Sequence, residues 1–222
     1  MDLLSHWQNR PVTSLYPLLA GIAAYLVGSL AFAVLVSRAM GLADPRTFGS
    51  KNPGATNVLR SGSKAAAAVT LLLDACKGLV PVLLVQLYGK RYGLGDGTVA
   101  LVAVGAFLGH LYPVFFRFQG GKGVATFLGA VFGIHWGLGL AACATWLIIA
   151  FFFRYSSLAS LVAAVFAPVY YLLGNRVAWY AETPIVLALV AMGMLLFWRH
   201  RANIQRLLAG TESKLGSKKK AT

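Results

Sequence analysis

The chain has 222 residues, of which 58% are hydrophobic and only 12% charged, and its mean hydropathy is +0.70. That composition excludes a soluble globular or a disordered chain and indicates an integral membrane protein. A formal charge of +14 would suggest nucleic acid in a soluble domain, but here Lys and Arg sit in short stretches between apolar runs, where membrane orientation and anionic lipids or substrates account for them better.

In chain order, Met1–Arg10 carries one acidic and one basic residue, Asp2 and Arg10, and lacks a basic region followed by a cleavage site, so no removable signal peptide is expected. Leu15–Val36 is a continuous apolar run of 22 residues, enough for one helical crossing. Ser37–Lys64 breaks the pattern with Arg38, Arg46, Lys51, Arg60 and Lys64 against a single Asp44, which places this loop in the cytoplasm and the N-terminus outside. Ala65–Tyr88 returns across the membrane. Inside it, Asp74 and Lys77 share a helix face and are expected to form a structural ion pair. Lys90–Gly97 is a short outer turn, and Thr98–Phe116 delivers Arg117 and Lys122 to the cytoplasmic side.

Val124–Phe153 is too long for one ordinary crossing and short for two. A single helix would put the basic tail outside, so charge parity favours a hairpin turning near His135-Trp136-Gly137, with Gly129, Gly133, Gly137 and Gly139 permitting tight packing. Ser157–Gly174 and Thr183–Trp198 complete seven helices. The expectation is an all-α membrane protein with seven transmembrane helices, N-terminus extracytoplasmic and C-terminus cytoplasmic. Residues 1–212 form one domain and 213–222 a basic, disordered tail. Cys76 and Cys143 lie alone in apolar segments, which indicates neither a disulfide framework nor a zinc cluster.

This topology gathers four polar stretches on one face. Phe48–Arg60 supplies Ser50, Asn52, Thr56 and Asn57 as neutral hydrogen-bonding groups, with Arg46 and Arg60 able to hold phosphate oxygens. In Gly120-Gly121-Lys122-Gly123, the glycines permit positive φ, so backbone N–H groups can converge on an anion that the lysine neutralises, and a helix starting at Val124 adds its positive end. Arg154–Ser160 opens a helix. In His200–Glu212, His200, Asn203 and Arg206 line one helical face. Taken singly, each stretch also fits a polar loop, a capped helix start or a juxtamembrane helix on lipid headgroups. Four together fit a site for small anionic substrates.

What is missing narrows the chemistry. The residues five after His110, His135 and His200 are Phe115, Leu140 and Gln205, so the HxxxxD dyad of one large class of glycerolipid acyltransferases is absent. GxSxG and Walker A motifs are absent too, and the six acidic residues are scattered, so no metal or other cofactor is expected. That suits an activated donor with a good anionic leaving group, for which positioning and charge stabilisation suffice.

The order GSxxF around Ser29, GSKNPGATNVLR from Gly49, the D-x-x-K of Asp74 and Lys77, GHLYPVFFRFQGGKGVAT, RYSSLAS and HRANIQRLLAGTE closely resembles the acyl-phosphate:glycerol-3-phosphate acyltransferase (PlsY) family, from about Gly28 to Glu212. Lys51 departs from the pattern at a place where many members carry a small residue, commonly glycine. The resemblance implies a seven-helix enzyme of the bacterial inner membrane. Its reaction would transfer a fatty acyl group from acyl phosphate to the sn-1 hydroxyl of glycerol 3-phosphate, giving lysophosphatidic acid and phosphate. It also implies transient contact with a soluble acyl-phosphate synthase, PlsX, and no dedicated protein base, a substrate phosphate accepting the hydroxyl proton. Carried over residue by residue, Lys122, Ser157, His200 and Asn203 form the catalytic set. Ser29, Arg46, Asn52, Asn57, Gly120, Gly121, Gly123 and Arg206 contact substrate. His110 is a less favoured base than the substrate phosphate. A carrier for small organic phosphates is the alternative, since glycine-broken helices also build transport sites, although no internal repeat supports it.

Overall fold

The computed structural model describes residues 11–216; the expectations for Met1–Arg10 and for 217–222 lie outside the described residues. The described chain is helical, running α1 (Pro11–Gly28), α2 (Phe32–Ala39), α3 (Ala55–Leu59), α4 (Lys64–Tyr88), α5 (Asp96–Leu111), α6 (Val124–Ile134), α7 (Trp136–Phe153), α8 (Ser156–Leu173), α9 (Thr183–Arg199) and α10 (Arg201–Leu208). Local chemistry sets several ends. Ser63 caps α4 by accepting from the Ala66 N–H at 3.1 Å, and a proline in the first turn of α9 fits a position whose N–H has no helical partner.

Four helices, α4, α5, α7 and α8, are long and apolar enough alone to cross a membrane, and six spans result if the bent pairs α1/α2 and α9/α10 each count as one. The helix breaks at His135, where the hairpin was expected. His135 is extended between α6 and α7, and its ring Nδ1 accepts from the Gly137 N–H at 3.2 Å. α6 itself has only 11 residues, about 16 Å of helix, roughly half a hydrocarbon core. The run Leu15–Val36 is not continuous either. It stops at Gly28 and restarts at Phe32 with a 40° bend. A side chain on Gly28 would put its Cβ 2.2 Å from the Ala106 carbonyl oxygen, so α1 and α5 touch backbone to backbone where the bend begins.

The interior is built from such contacts and from small aliphatics. A Cβ on Gly78 or Gly129 would lie 2.1 or 2.0 Å from a carbonyl oxygen of the other helix, which locks α4 against α6. Phe107, Phe127, Leu138, Leu189, Met192 and Leu196 fill the core between α5, α6, α7 and α9. Large apolar side chains face outward instead, Leu72 at 64% and Phe151 at 77% exposure, as a lipid-facing surface requires.

Candidate active site

The four polar stretches meet at one end of the bundle. Arg117 and Phe118, both in left-handed backbone conformations at φ 54° and 58°, turn the chain into the glycine loop. Of its glycines only Gly123 uses positive φ, at 87°, as it leads into α6. Gly120 and Gly121 are required for a different reason: a Cβ there would come within 2.1 Å of the His110 carbonyl oxygen and 2.2 Å of His110 Nε2. One amide of the expected cradle is already engaged. The Gly121 N–H donates to the His110 carbonyl at 3.1 Å, and the loop presents carbonyls to Arg199, which donates to Gly120 O at 2.7 Å and Gly121 O at 3.0 Å.

Lys122 reaches past the loop to donate to Asn203 Oδ1. Asn203 in turn donates to Glu212 Oε1 at 2.6 Å, Ser157 donates to the same oxygen at 2.7 Å, and Arg206 donates to Glu212 Oε2 at 2.7 Å. Four expected site residues, from the α6 loop, α8 and α10, thus share one cluster. Burial lowers the Lys122 pKa to about 8, the Glu212 carboxylate opposing the shift while Arg206, Arg60 and Arg199 reinforce it. Burial works against the Glu212 carboxylate too, but hydrogen bonds from Asn203, Ser157 and Arg206 outweigh it and hold its pKa below the ordinary value. His200, buried at the α9–α10 bend, has Nδ1 2.9 Å from the Leu196 carbonyl; a carbonyl only accepts, so the proton sits on Nδ1, and Nε2 has no hydrogen-bond partner among the described residues.

A second cationic niche includes Gly120 of the glycine loop. It is a cavity of about 400 Å³ lined by Arg46, Lys51, Pro53, Phe118, Gln119, Gly120 and Arg199. Arg46 is braced by a bidentate contact to Asp44, at 3.0 Å from Nε to Oδ1 and 2.6 Å from Nη2 to Oδ2, and lies over the Phe116 ring. That side-chain hydrogen bond holds the Asp44 pKa below its ordinary value. Asn57 is placed differently from expectation. Its buried amide donates to Pro45 O and Phe48 O and accepts from Ser50 N–H, which makes it a staple of its own loop rather than a ligand contact. Asn52 makes no side-chain hydrogen bond among the described residues. Ser29 is fully buried in the α1–α2 break, donating to Tyr25 O at 2.8 Å and accepting from Val114 N–H at 3.4 Å.

A sequence profile described as glycerol-3-phosphate acyltransferase matches residues 18–210. Proteins named glycerol-3-phosphate acyltransferase from Albidiferax ferrireducens and Bordetella petrii are 65% and 66% identical to this chain, over 92% and 89% of it and 92% of each of theirs. The chain belongs to the glycerol-3-phosphate acyltransferase family. A crystal structure of the integral membrane acyltransferase PlsY in its glycerol 3-phosphate form superposes with a TM-score of 0.82 at 37% identity, covering 90% of this chain and 96% of that one. The lysophosphatidic acid form gives 0.81 at 36%. This acyltransferase is therefore a multi-pass membrane enzyme.

Two residues that sequence reasoning left unassigned shape the site. Arg199 both lines the cavity and clamps the glycine loop, and Glu212 gathers Ser157, Asn203 and Arg206. The tail expected to be disordered from 213 is hydrogen-bonded as far as Leu215, through Arg60 to Ser213 Oγ at 3.0 Å and a two-way backbone and side-chain contact with Arg154.

Lys51 sits at φ 55°, a conformation that costs a side-chain-bearing residue about 1–2 kcal/mol and glycine almost nothing. Lys51→Gly is expected to raise stability by about 1 kcal/mol while removing one of three cations from the cavity. A thermal melt in detergent together with KM for each phosphate-bearing substrate checks this: the midpoint should rise and one KM should increase severalfold. A lower midpoint would contradict the strain argument.

Proposed function

We propose that the chain transfers a fatty acyl group from acyl phosphate to the sn-1 hydroxyl of glycerol 3-phosphate, releasing lysophosphatidic acid and phosphate. The observation that supports this is a pair of cationic niches that share one glycine loop: Lys122 with Ser157, Asn203 and Arg206 in one, Arg46, Lys51 and Arg199 with Gly120 in the other. Both substrates carry phosphate, and two niches built on the same loop can hold one phosphate each. Lys122 stabilises the charge that collects on the leaving phosphate as the hydroxyl oxygen bonds to the acyl carbon and the acyl–phosphate bond breaks. The hydroxyl proton passes to a phosphate oxygen, whose second pKa near ~6 suits it as a base at neutral pH. His200 and Asn203 orient substrate, Ser29 and Ser157 supply hydroxyl contacts, and Arg46 fixes the second phosphate. Neither a metal ion nor a covalent enzyme intermediate is required when the donor is already activated.

The membrane arrangement follows from the charge pattern. Residues 1–212 form one domain in the bacterial inner membrane with seven crossings, α6 making a shortened one, the N-terminus outside and the basic C-terminus in the cytoplasm. The basic face draws in both anionic substrates and receives the soluble PlsX synthase transiently. Purified protein in detergent, given synthetic acyl phosphate and radiolabelled glycerol 3-phosphate, should form lysophosphatidic acid with no second compartment. Absence of product from folded protein would sink this reading, and label accumulation in sealed vesicles without acylation would favour a carrier.

A further inference from the structure

The proposed chemistry does not use the ion pair buried in α4. Asp74 and Lys77 are 3% and 2% exposed, with Nζ 2.9 Å from Oδ1. Burying such a pair gains little over apolar residues of equal volume, so contacts beyond the pair have to account for it. Lys77 Nζ also donates, at 2.6 Å, to the carbonyl of Leu30, the residue after Ser29 in the α1–α2 break, a carbonyl that also accepts from the Phe32 N–H at 3.0 Å. On the other side, His110 Nδ1 lies 3.6 Å from Asp74 Oδ1 and has no hydrogen-bond partner among the described residues. The His110 carbonyl takes the Gly121 N–H, and its ring lies against Gly121, next to Lys122. The Asp74 carbonyl accepts from Thr126 Oγ1 at 2.9 Å, tying the first turn of α6 to the same place. One turn of α4 therefore touches the Ser29 break directly and reaches the Lys122 loop through His110 and Thr126.

We propose that Asp74, Lys77 and His110 are positioning residues that hold Ser29 and the Lys122 loop at a fixed separation and so set the approach of the two substrates. This rests on the assignment of Ser29 and Lys122 to the site. The trio moves no proton and touches no substrate. It acts on geometry, where an error of about 1 Å costs roughly 100-fold in rate.

The test replaces the pair by apolar residues of similar volume, Asp74→Leu with Lys77→Met, and measures melting midpoint, kcat, KM and the pH–rate profile in detergent. The expected result is a midpoint within a few degrees of wild type, kcat lower by about 30- to 100-fold, KM for glycerol 3-phosphate changed less than about threefold, and a pH profile of unchanged shape. A kcat within twofold of wild type overturns the proposal and leaves the pair merely structural. Exchanging the two residues, Asp74→Lys with Lys77→Asp, should also lose activity, because each partner's outer contact needs its own charge. If the apolar double variant does not fold, His110→Gln decides, since it keeps the ion pair. It should lower kcat about tenfold with an unshifted pH profile; a shifted profile would make His110 a proton carrier, and failure of both variants to fold would assign the trio to folding, either outcome overturning the proposal. Ser29→Ala and Lys122→Ala run alongside. Wild-type rates in both would remove the site reading and the proposal with it, whereas losses there without a loss in the α4 variants would remove the proposal alone.

Discussion

Lys122→Ala is expected to lower kcat by about 1,000-fold, about 4 kcal/mol of transition-state stabilisation, with the protein still folded. The lysine is the cation that reaches from the glycine loop into the cluster built by α8 and α10, and its hydrogen bond to Asn203 aims it. Its lowered pKa, about 8, gives a second and independent signature. A group with that pKa is charged below pH 8 and neutral above it, so kcat/KM for the phosphate-bearing substrates should fall about tenfold per pH unit on the alkaline side. Bound phosphate favours the charged form and raises the pKa, so the limb in kcat should lie at higher pH than the limb in kcat/KM. Lys122→Arg keeps the charge and should carry the limb out of the accessible range. A rate loss under tenfold in the alanine variant, or a flat wild-type kcat/KM from pH 7 to 10, would take Lys122 out of the chemistry.

The parts of this protein legible in sequence were those governed by solvent. Charges clustered between apolar runs marked the polar loops, and parity together with glycines placed the break at His135, because an unpaired charge or an unbonded backbone group in lipid is costly wherever the rest of the chain goes. Tertiary contacts set the rest. The bend after Gly28 lies inside an unbroken apolar run and exists because α1 meets the Ala106 carbonyl and Lys77 holds the Leu30 carbonyl. The glycine loop was found for the right residues and partly the wrong reason, since closeness to His110, not positive φ, excludes side chains at Gly120 and Gly121. Asn57 looked like a ligand contact because a carboxamide in a basic loop suits phosphate, and only the folded loop shows its amide already bonded to Pro45, Phe48 and Ser50. Glu212 closed the HRANIQRLLAGTE motif and Arg199 stood one residue before it, with no periodic signal to give either a role.

Glu212→Ala carries the second large effect, on the architecture and the chemistry together. Its carboxylate, 8% exposed, accepts from Ser157, Asn203 and Arg206, and so joins α8 to α10 across a 62° bend between α9 and α10. Removing it leaves three donors without their acceptor. The half-exposed Arg206 regains water, whereas Ser157 and Asn203 are buried and do not, so the expected loss is about 2–3 kcal/mol, seen as a lower melting midpoint. Because the folded Glu212 pKa is lowered, its contribution is complete above the ordinary value of 4.5 and fades as pH falls through the lowered one, so wild type and variant should converge in stability toward strongly acid pH. Asn203 loses the bond that orients it toward Lys122, and kcat should drop about 10- to 100-fold. The Glu212 charge also supports the Lys122 ammonium, so without it the Lys122 pKa moves further down and the alkaline limb of kcat/KM shifts toward neutral pH. Glu212→Gln, which keeps the shape and one acceptor, should shift that limb in the same direction with a smaller loss of stability. An unmoved limb alongside an unchanged midpoint would show that the carboxylate neither braces α10 nor tunes Lys122.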